Sequence, residues 1–182
     1  MFCSNMFIVD CETTGLLRSS LLLEVGGVVV NSNLEVLETF EIIINHSEAD
    51  IVANCNDKVL KMHKESGLYE AVINSKISLQ EAKSVFFEIV TRHTIQETKP
   101  ILTNNTVRMD YMWLEENFKE DFVNIFDYRT IDISSINELV KRFCPEKLEQ
   151  MPKKNNKHTA QADALETLEE LRQYKKLLFN SL

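Results

Sequence analysis

Three apolar segments rich in β-branched residues follow one another within the first 44 residues of the chain. Residues 6–9, 24–30 and 37–44 have the length and composition of strands, and the polar segment 31–33 (NSN) is typical of a hairpin turn. Consecutive strands joined by a tight turn pair in antiparallel fashion. The chain is therefore predicted to begin with three antiparallel strands of one sheet.

The rest of the chain alternates helices and short strands. Ser78 and Glu81 form a capping-box motif ahead of apolar residues with helical spacing. Further helices are predicted at 109–118, at 160–178, and from Ser134 or Ser135 to just before Pro145. Short strands are predicted at 100–104 and 129–133, and a loop at 145–157. An antiparallel start followed by this alternation predicts an α/β fold with a mixed sheet.

Length and charge limit the class of protein. The 182 residues, with 44% hydrophobic and 26% charged residues, are typical of a globular protein, and residues 1–182 are interpreted as one domain. Lysine and arginine number 20 against 28 acidic residues, which gives a net charge of −8. Proteins that bind long duplexes carry a basic face. Either the partner is not a nucleic acid, or the protein contacts only a few phosphates at a local site.

Cysteine usage and hydropathy indicate a compartment. The four cysteines lie far apart without a CxxC pair, which favours a reducing environment over a zinc site or disulfide framework. The longest apolar stretch, residues 21–30, is interrupted by Glu24 and is too short to span a bilayer. No secretory signal is evident at the N-terminus. A cytoplasmic protein without membrane contact is expected, and a mitochondrial location stays open.

Asp10 and Glu12 stand at the end of the first strand, in FIVDCETTGL. Alternation along a strand places positions i and i+2 on the same face. Two adjacent carboxylates repel each other unless a cation lies between them or one is protonated. Mg²⁺ and Mn²⁺ prefer such oxygen ligands, although a pair of this kind also occurs at solvated strand ends.

Two further acids and one histidine stand beside predicted helices. Asp110, in ILTNNTVRMDYMWL, begins a helix after a short strand. His158 and Asp163, in KHTAQADALETL, flank the start of the last helix, where Asp163 interrupts an apolar face. Taken singly, each acid could be a carboxylate favoured by the helix dipole, and the histidine an incidental loop residue.

Together these positions form the pattern D-x-E … D … H-x-x-x-x-D, which resembles the DEDDh 3′–5′ exonucleases. The resemblance implies a ribonuclease H-like fold, in which helices flank a mixed central sheet. The catalytic residues that it implies are Asp10, Glu12, Asp110, His158 and Asp163. Within this superfamily, HKESGL at 63–68 and YRTIDIS at 128–134 resemble segments of the oligoribonuclease family, and the similarity runs from about residue 7 to residue 178.

The resemblance also implies two-metal phosphodiester hydrolysis, with Mg²⁺ or Mn²⁺ as the ions. Asp10, Glu12 and Asp163 would hold the first ion. Asp10 would also touch the second ion, which Asp110 would support directly or through water. His158 would act as the general base toward the attacking water, a role that suits the pKa of a histidine near neutral pH.

The implied substrate is a short single-stranded RNA. In the family, polar side chains cap its 5′ phosphate, a leucine wedges one base, and a second subunit contributes a tyrosine, so a homodimer is implied. The matching substrate-binding positions are Leu16, His63, Thr106, Tyr128, Arg129 and Ser134. A protein that caps a terminal phosphate does not need a broad basic surface, which agrees with the net charge of −8.

One position departs from the family pattern. The family usually places a tryptophan shortly before H-x-x-S-G-L, whereas residues 56–62 contain no aromatic side chain and Lys58 stands near that place. Base stacking contributes about 1–3 kcal/mol per base, so a strict preference for dinucleotides is in question. Two alternatives stay open: a 3′–5′ exonuclease on single-stranded DNA ends, and an inactive nuclease fold that binds nucleic acid.

Overall fold

A mixed β-sheet forms the centre of the fold. The structure is a computed structural model that describes residues 4–95, 98–152 and 159–179. Its strands are Met6–Thr13 (β1), Leu22–Val30 (β2), Val36–Ile43 (β3), Ile101–Asn104 (β4) and Thr130–Asp132 (β5), in the order β3-β2-β1-β4-β5. β1, β2 and β3 pair in antiparallel fashion, and β4 is parallel to both β1 and β5. The predicted antiparallel start and mixed sheet are confirmed.

Helices pack around this sheet. They are Glu48–Asn54 (α1), Asp57–Ser66 (α2), Leu68–Asn74 (α3), Leu79–His93 (α4), Arg108–Ile125 (α5), Ile133–Phe143 (α6) and Ala160–Tyr174 (α7), with a 3₁₀ helix at Pro145–Gln150 and a π-helical turn at Lys175–Phe179. The predicted capping box is present at α4, where Ser78 and Glu81 bond reciprocally. Over the described ranges, none of these helices is long and apolar enough to cross a membrane.

Three short helices between β3 and α4 were not predicted. Each of α1, α2 and α3 has ten residues or fewer, so its periodic pattern is brief. Their buried side chains, such as Ile51 and Val72, pack with Leu23 of β2 in a small separate cluster. This tertiary contact stabilises helices that local sequence alone only weakly favours.

Several predicted boundaries are wrong. α6 begins after Asp132, whose carboxylate accepts a hydrogen bond of 2.9 Å from the Ser134 backbone, so neither Ser134 nor Ser135 is the N-cap. Residues 145–150 form a 3₁₀ helix and not a loop, because Pro145 fits the first turn of a helix. α5 continues beyond residue 118 to Ile125, after a break at Lys119 where φ is 57°.

Each face of the sheet packs against different helices. Phe7 and Val9 of β1 belong to the large core beside α4 and α5. Ile8 and Val28 face the other way, toward Ala164 of α7. The alternation of strand side chains thus sends odd-numbered apolar positions of β1 to one layer and Ile8 to the other. β1 and β2 are buried between helical layers on both sides, which places the carboxyl end of β1 against α7.

The N-terminus of α7 lies very close to β2. A Cβ atom added at Gly26 would stand 2.2 Å from the Gln161 nitrogen and 2.6 Å from the Ala160 carbonyl carbon. Only glycine fits here, because the backbone of the helix contacts the backbone of the strand. This contact determines how near the first turns of α7 come to the sheet.

Candidate active site

Three carboxylates meet where β1 passes the start of α7. Asp10 and Glu12 project from the same face of β1, and Asp163 extends toward them from the first turn of α7. One ligand oxygen from each lies within 4.8 Å of those of the other two. The structure therefore brings together the three acids that were expected to share the first ion.

Glu24, which was not predicted to belong to the site, holds the start of α7 in place. It pairs with Glu12 across β1 and β2 and is fully buried. Its Oε1 accepts a hydrogen bond of 3.2 Å from the Ala160 backbone, while its Oε2 has no hydrogen-bond partner among the described residues. A glutamate inside an otherwise apolar strand was the signal in the sequence, because a glutamate is almost never fully buried unless it is paired.

Asp110 joins the site from the first turn of α5. The side chain is 4% exposed, and its Oδ1 accepts a hydrogen bond of 3.0 Å from the Cys11 backbone. Asn104, the last residue of β4, donates through Nδ2 to Asp10 Oδ1 at 2.8 Å and to Asp110 Oδ2 at 3.0 Å. Asn104 was not predicted to belong to the site, although a polar residue at the carboxyl end of a strand beside β1 was the available signal.

Burial and the nearby negative charges raise the pKa values of Glu12 and Asp110. Burial, followed by the charges of Asp10, Glu24 and Asp163, raises the pKa of Glu12 from 4.5 to about 8. Burial and the charge of Asp10 also raise the pKa of Asp110 well above its usual range, although the Asn104 and Cys11 hydrogen bonds act in the opposite direction. The cause is the same in both cases: several carboxylates share a region that water reaches poorly.

The arrangement fits a divalent cation. Carboxylate oxygens are the ligands that Mg²⁺ and Mn²⁺ prefer, and a cation would relieve the repulsion that raises the pKa of Glu12. Asp10, Glu12 and Asp163 supply such oxygens at one point. The expected general base, His158, lies outside the described residues.

Thr106 and Ser134 lie together near the site. The Thr106 nitrogen donates to Ser134 Oγ at 3.0 Å, and the two hydroxyl oxygens are 3.2 Å apart. Both residues line an open cavity of about 480 Å³ that Leu139 and Arg142 also line. The structure thus brings together Thr106 and Ser134, two of the expected substrate-binding residues, at one cavity.

Arg129 and Tyr128 contact each other. The Arg129 guanidinium carbon lies 4.3 Å from the centre of the Tyr128 ring, which is a cation–π arrangement. Arg129 Nη1 is 3.6 Å from Asp127 Oδ1, and Arg129 does not line the cavity of Thr106 and Ser134. Among the described residues, the cation that lines that cavity is Arg142, which is also bonded to Glu138 and was not predicted to belong to the site.

Leu16 lies in the loop between β1 and β2. It is 78% exposed, as a side chain that contacts a ligand must be. Trp113 of α5 fixes this loop by donating from Nε1 to the Leu17 carbonyl at 3.0 Å. Leu16, one of the expected substrate-binding residues, therefore lies exposed on a loop that Trp113 anchors.

His63 does not have the position of a ligand-contacting residue. It is fully buried on α2, and its Nε2 lies 2.9 Å from the Thr13 carbonyl at the end of β1. A side chain without accessible surface cannot touch substrate in this conformation. His63 instead attaches α2 to the end of the strand that carries Asp10 and Glu12, which corrects the expectation of a direct substrate contact.

The raised pKa values predict an unusual pH dependence of stability. Glu12 titrates near pH 8 and Glu24 near pH 7 in the folded chain, against 4.5 for an ordinary glutamate. Between pH 4.5 and the raised pKa values, the folded state binds more protons than the unfolded state. The free energy of unfolding therefore falls as pH rises through this range. In excess chelator, we expect the midpoint temperature of thermal unfolding to decrease as the pH is raised from 4.5 to about 8.

Thermal unfolding at constant ionic strength measures this effect. Glu12→Gln should flatten the decline, and added Mn²⁺ should raise the midpoint at the alkaline end because a cation replaces the missing counter-charge. Glu65→Gln, at an exposed position on α2, is the matched control and should keep the wild-type profile. A midpoint that stays constant or rises over this range in chelator contradicts the prediction.

Comparison with known proteins agrees with this geometry. The exonuclease family RNase_T matches residues 7–171. A probable oligoribonuclease of Dictyostelium discoideum is 37% identical over 176 residues, covering 96% of this chain and 90% of that protein. The oligoribonuclease of Rhodococcus jostii is 35% identical over 173 residues, covering 94% of this chain and 86% of that protein.

Solved structures share the fold. Exonuclease I of E. coli superposes with a TM-score of 0.72 at 12% identity, over 96% of this chain and 41% of the exonuclease I chain. The nuclease domain of 3′hExo, a DEDDh family member, gives a TM-score of 0.59 at 13% identity, over 97% of this chain and 92% of that domain. The fold is thus ribonuclease H-like, and the chain belongs to the RNase_T exonucleases and, among them, to the oligoribonucleases of the DEDDh group.

Proposed function

We propose that this protein is a metal-dependent 3′–5′ exoribonuclease that degrades short oligoribonucleotides to mononucleotides. The observation that carries the proposal is the convergence of Asp10, Glu12 and Asp163 within 4.8 Å, with Asp110 joined to Asp10 through Asn104. Similarity to oligoribonucleases over nearly the whole chain supports the same activity.

Two divalent ions, Mg²⁺ or Mn²⁺, are the proposed cofactors. Asp10, Glu12 and Asp163 would hold one ion, and Asp10 and Asp110 would support the other. When bound, the ions supply positive charge to the scissile phosphate and to the attacking water. The four carboxylates would match the charge of two divalent ions, and their attachment to β1, α5 and α7 would hold the ligands in a fixed geometry.

His158 is the proposed general base. It stands five residues before Asp163 in the sequence, as the D-x-E … D … H-x-x-x-x-D pattern requires. Its imidazole would accept the proton that the attacking water loses, which suits a group that titrates near neutral pH. This role rests on the sequence pattern.

Selection of short substrates is proposed to occur at the cavity of Thr106 and Ser134. Two hydroxyls lie 3.2 Å apart in this cavity, which Arg142 also lines, and such groups suit the oxygens of a terminal phosphate better than a continuing chain. Arg129 would complete the pocket when substrate draws it from the Tyr128 ring. Leu16, exposed on its anchored loop, would wedge against a base.

A homodimer is proposed from the exposed apolar side of α6. Leu139 and Phe143 are one helical turn apart and are 55% and 78% exposed, and Tyr128 is 75% exposed. Exposed aromatic and aliphatic groups of this size are typical of protein interfaces. Because Leu139 also lines the cavity of Thr106 and Ser134, a second subunit on this face would close that cavity and bring its Tyr128 to the substrate.

We further propose that residues 1–182 function as one exonuclease domain in the cytoplasm. The site collects residues from β1, β4, α5 and α7, which span most of the chain. The wide spacing of the four cysteines in the sequence, without a CxxC pair, supports a reducing compartment.

A length series tests the activity. RNA and DNA of about 2 to 20 nucleotides, labelled at the 5′ end, are incubated with Mg²⁺ or Mn²⁺, and the products are resolved by size. We expect RNA cleavage to decline gradually from two to about seven nucleotides, because Lys58 stands where an aromatic would stack a base. Asp163→Asn should remove the activity, since an ion loses a ligand.

Glu169→Gln, on the exposed side of the same helix, is the control and should retain full activity. Activity of Asp163→Asn, or of wild-type protein in excess chelator, contradicts metal-dependent hydrolysis. Degradation of long DNA as fast as RNA dimers would favour an exonuclease on single-stranded DNA. Binding without cleavage of any substrate would favour an inactive binding protein.

The terminal-phosphate pocket is tested with dinucleotides that carry or lack a 5′ phosphate. Arg129→Ala should slow cleavage of the phosphorylated dimer by about 10- to 100-fold, because a charge-assisted hydrogen bond is lost. Cleavage of the 5′-hydroxyl dimer should change little. Arg142→Ala is the matched comparison, and if it alone produces the selective loss, Arg142 and not Arg129 binds the phosphate.

The dimer is tested by sedimentation of wild-type protein and two charge variants. Phe143→Glu should weaken association by roughly 100-fold or more, because an unpaired charge would be buried. Val52→Glu, at an exposed apolar position on α1, should leave association unchanged. A monomeric wild type at micromolar concentration, or a dimeric Phe143→Glu, would exclude the proposed interface.

A further inference from the structure

A single buried amide connects two of the catalytic carboxylates. We propose that Asn104, oriented by Thr167, is a positioning residue that fixes Asp10 and Asp110 in the arrangement that binds metal. The inference rests on the proposed metal-dependent hydrolysis. It assigns a role to two residues of β4 and α7 that the D-x-E … D … H-x-x-x-x-D pattern does not contain.

The Asn104 nitrogen lies between acceptors from two different elements. It is 2.8 Å from Asp10 Oδ1 on β1 and 3.0 Å from Asp110 Oδ2 on α5. An amide nitrogen carries two hydrogens, so it can donate one to each carboxylate. The two acids repel each other, and a shared donor offsets this repulsion while it holds their separation constant.

Thr167 determines which end of the amide faces the acids. Its hydroxyl donates to Asn104 Oδ1 at 3.1 Å, and its oxygen accepts from Asn105 Nδ2 at 3.0 Å. Because the Asn105 donor occupies the oxygen, the single hydroxyl hydrogen is directed toward Asn104. The bonds therefore run in one direction, from Asn105 through Thr167 and Asn104 to the carboxylates.

Burial makes this orientation energetically important. Asn104 is 1% exposed and Thr167 is 2% exposed, so water does not replace a lost partner easily. A reversed amide would place its oxygen against two carboxylates and its nitrogen against a hydroxyl that donates. In a region of low dielectric constant, such a misdirected dipole is strongly disfavoured.

α7 links this network to the third metal ligand. Thr167 and Asp163 are four residues apart on α7 and therefore lie on the same face of the helix. The network also extends to the proposed phosphate pocket, because Ser134 Oγ donates to Asn105 Oδ1 at 3.3 Å. A shift of α7 would thus move Asp163 and the support of Asp10 and Asp110 together.

Binding of Mn²⁺ without substrate gives a readout that is independent of turnover. Free Mn²⁺ is counted by electron paramagnetic resonance, and kcat and KM are then measured on an RNA dinucleotide at saturating Mn²⁺. Asn104→Ala should weaken Mn²⁺ binding by about 10-fold and lower kcat by about 10- to 100-fold, in the range typical of residues that orient metal ligands. KM for the dinucleotide should stay within about twofold, because substrate contacts are intact.

Variants of Thr167 test whether it acts through Asn104. Thr167→Val, which removes the hydroxyl at constant volume, should weaken Mn²⁺ binding by about 3- to 10-fold, and Thr167→Ser should restore it. The double variant Asn104→Ala/Thr167→Val should bind Mn²⁺ no more weakly than Asn104→Ala alone, since coupled residues are non-additive. Asn54→Ala, at an exposed position on α1, is the matched control and should bind Mn²⁺ like wild type.

Wild-type Mn²⁺ affinity in Asn104→Ala, or additive effects in the double variant, overturns the inference. If Asn104→Ala does not fold, the Mn²⁺ affinities of Thr167→Val and Thr167→Ser test the inference instead. Equal Mn²⁺ affinity in these two variants overturns it, and wild-type affinity in Thr167→Ser together with weaker binding in Thr167→Val supports it. An active wild type with unaffected variants contradicts this inference only. A wild type that neither binds Mn²⁺ nor cleaves RNA contradicts the proposed function as well.

Discussion

Mutual repulsion among acidic side chains is the constraint on which this structure depends. Asp10, Glu12 and Asp163 meet at one point, with Asp110 and Glu24 close behind them in largely buried positions. Such a cluster would separate if its members were carried on mobile loops. They are instead fixed on β1, β2, α5 and α7, and backbone N–H groups of Cys11 and Ala160 reach Asp110 and Glu24. The fold thus holds together carboxylates whose negative charges repel one another, and a bound cation would relieve this repulsion.

Much of the fold and of the acidic centre could be predicted from the sequence. β-branched runs predicted β1, β2 and β3, because strand composition and length are local properties. The spacing of D-x-E predicted that Asp10 and Glu12 share a face, because strand geometry alternates. That Asp163 would join them required the family pattern, since the contact between α7 and β2 involves residues far apart in the chain.

The rest of the site depends on contacts that sequence patterns do not report. The sequence does not show that Asn104 donates to two carboxylates, because this follows from the positions of β1, β4 and α5 relative to one another. His63 matched a family motif, yet its burial against the Thr13 carbonyl makes it a structural attachment. Arg129 likewise matched a motif, while in the folded chain it stacks on Tyr128 and Arg142 lines the cavity.

The close approach of α7 to Gly26 has a consequence for how this enzyme tolerates mutational drift. Where two elements are separated by side chains, each change in side-chain volume alters their spacing. Here backbone touches backbone, so the spacing at the start of α7 is already at its minimum. Substitutions elsewhere in the layer between α7 and the sheet can tilt the far end of the helix while its first turn, with Asp163, stays in place. The position of Asp163 is therefore less sensitive to side-chain volumes in the surrounding core than to a side chain at position 26, which would push the first turn of α7 away from β2.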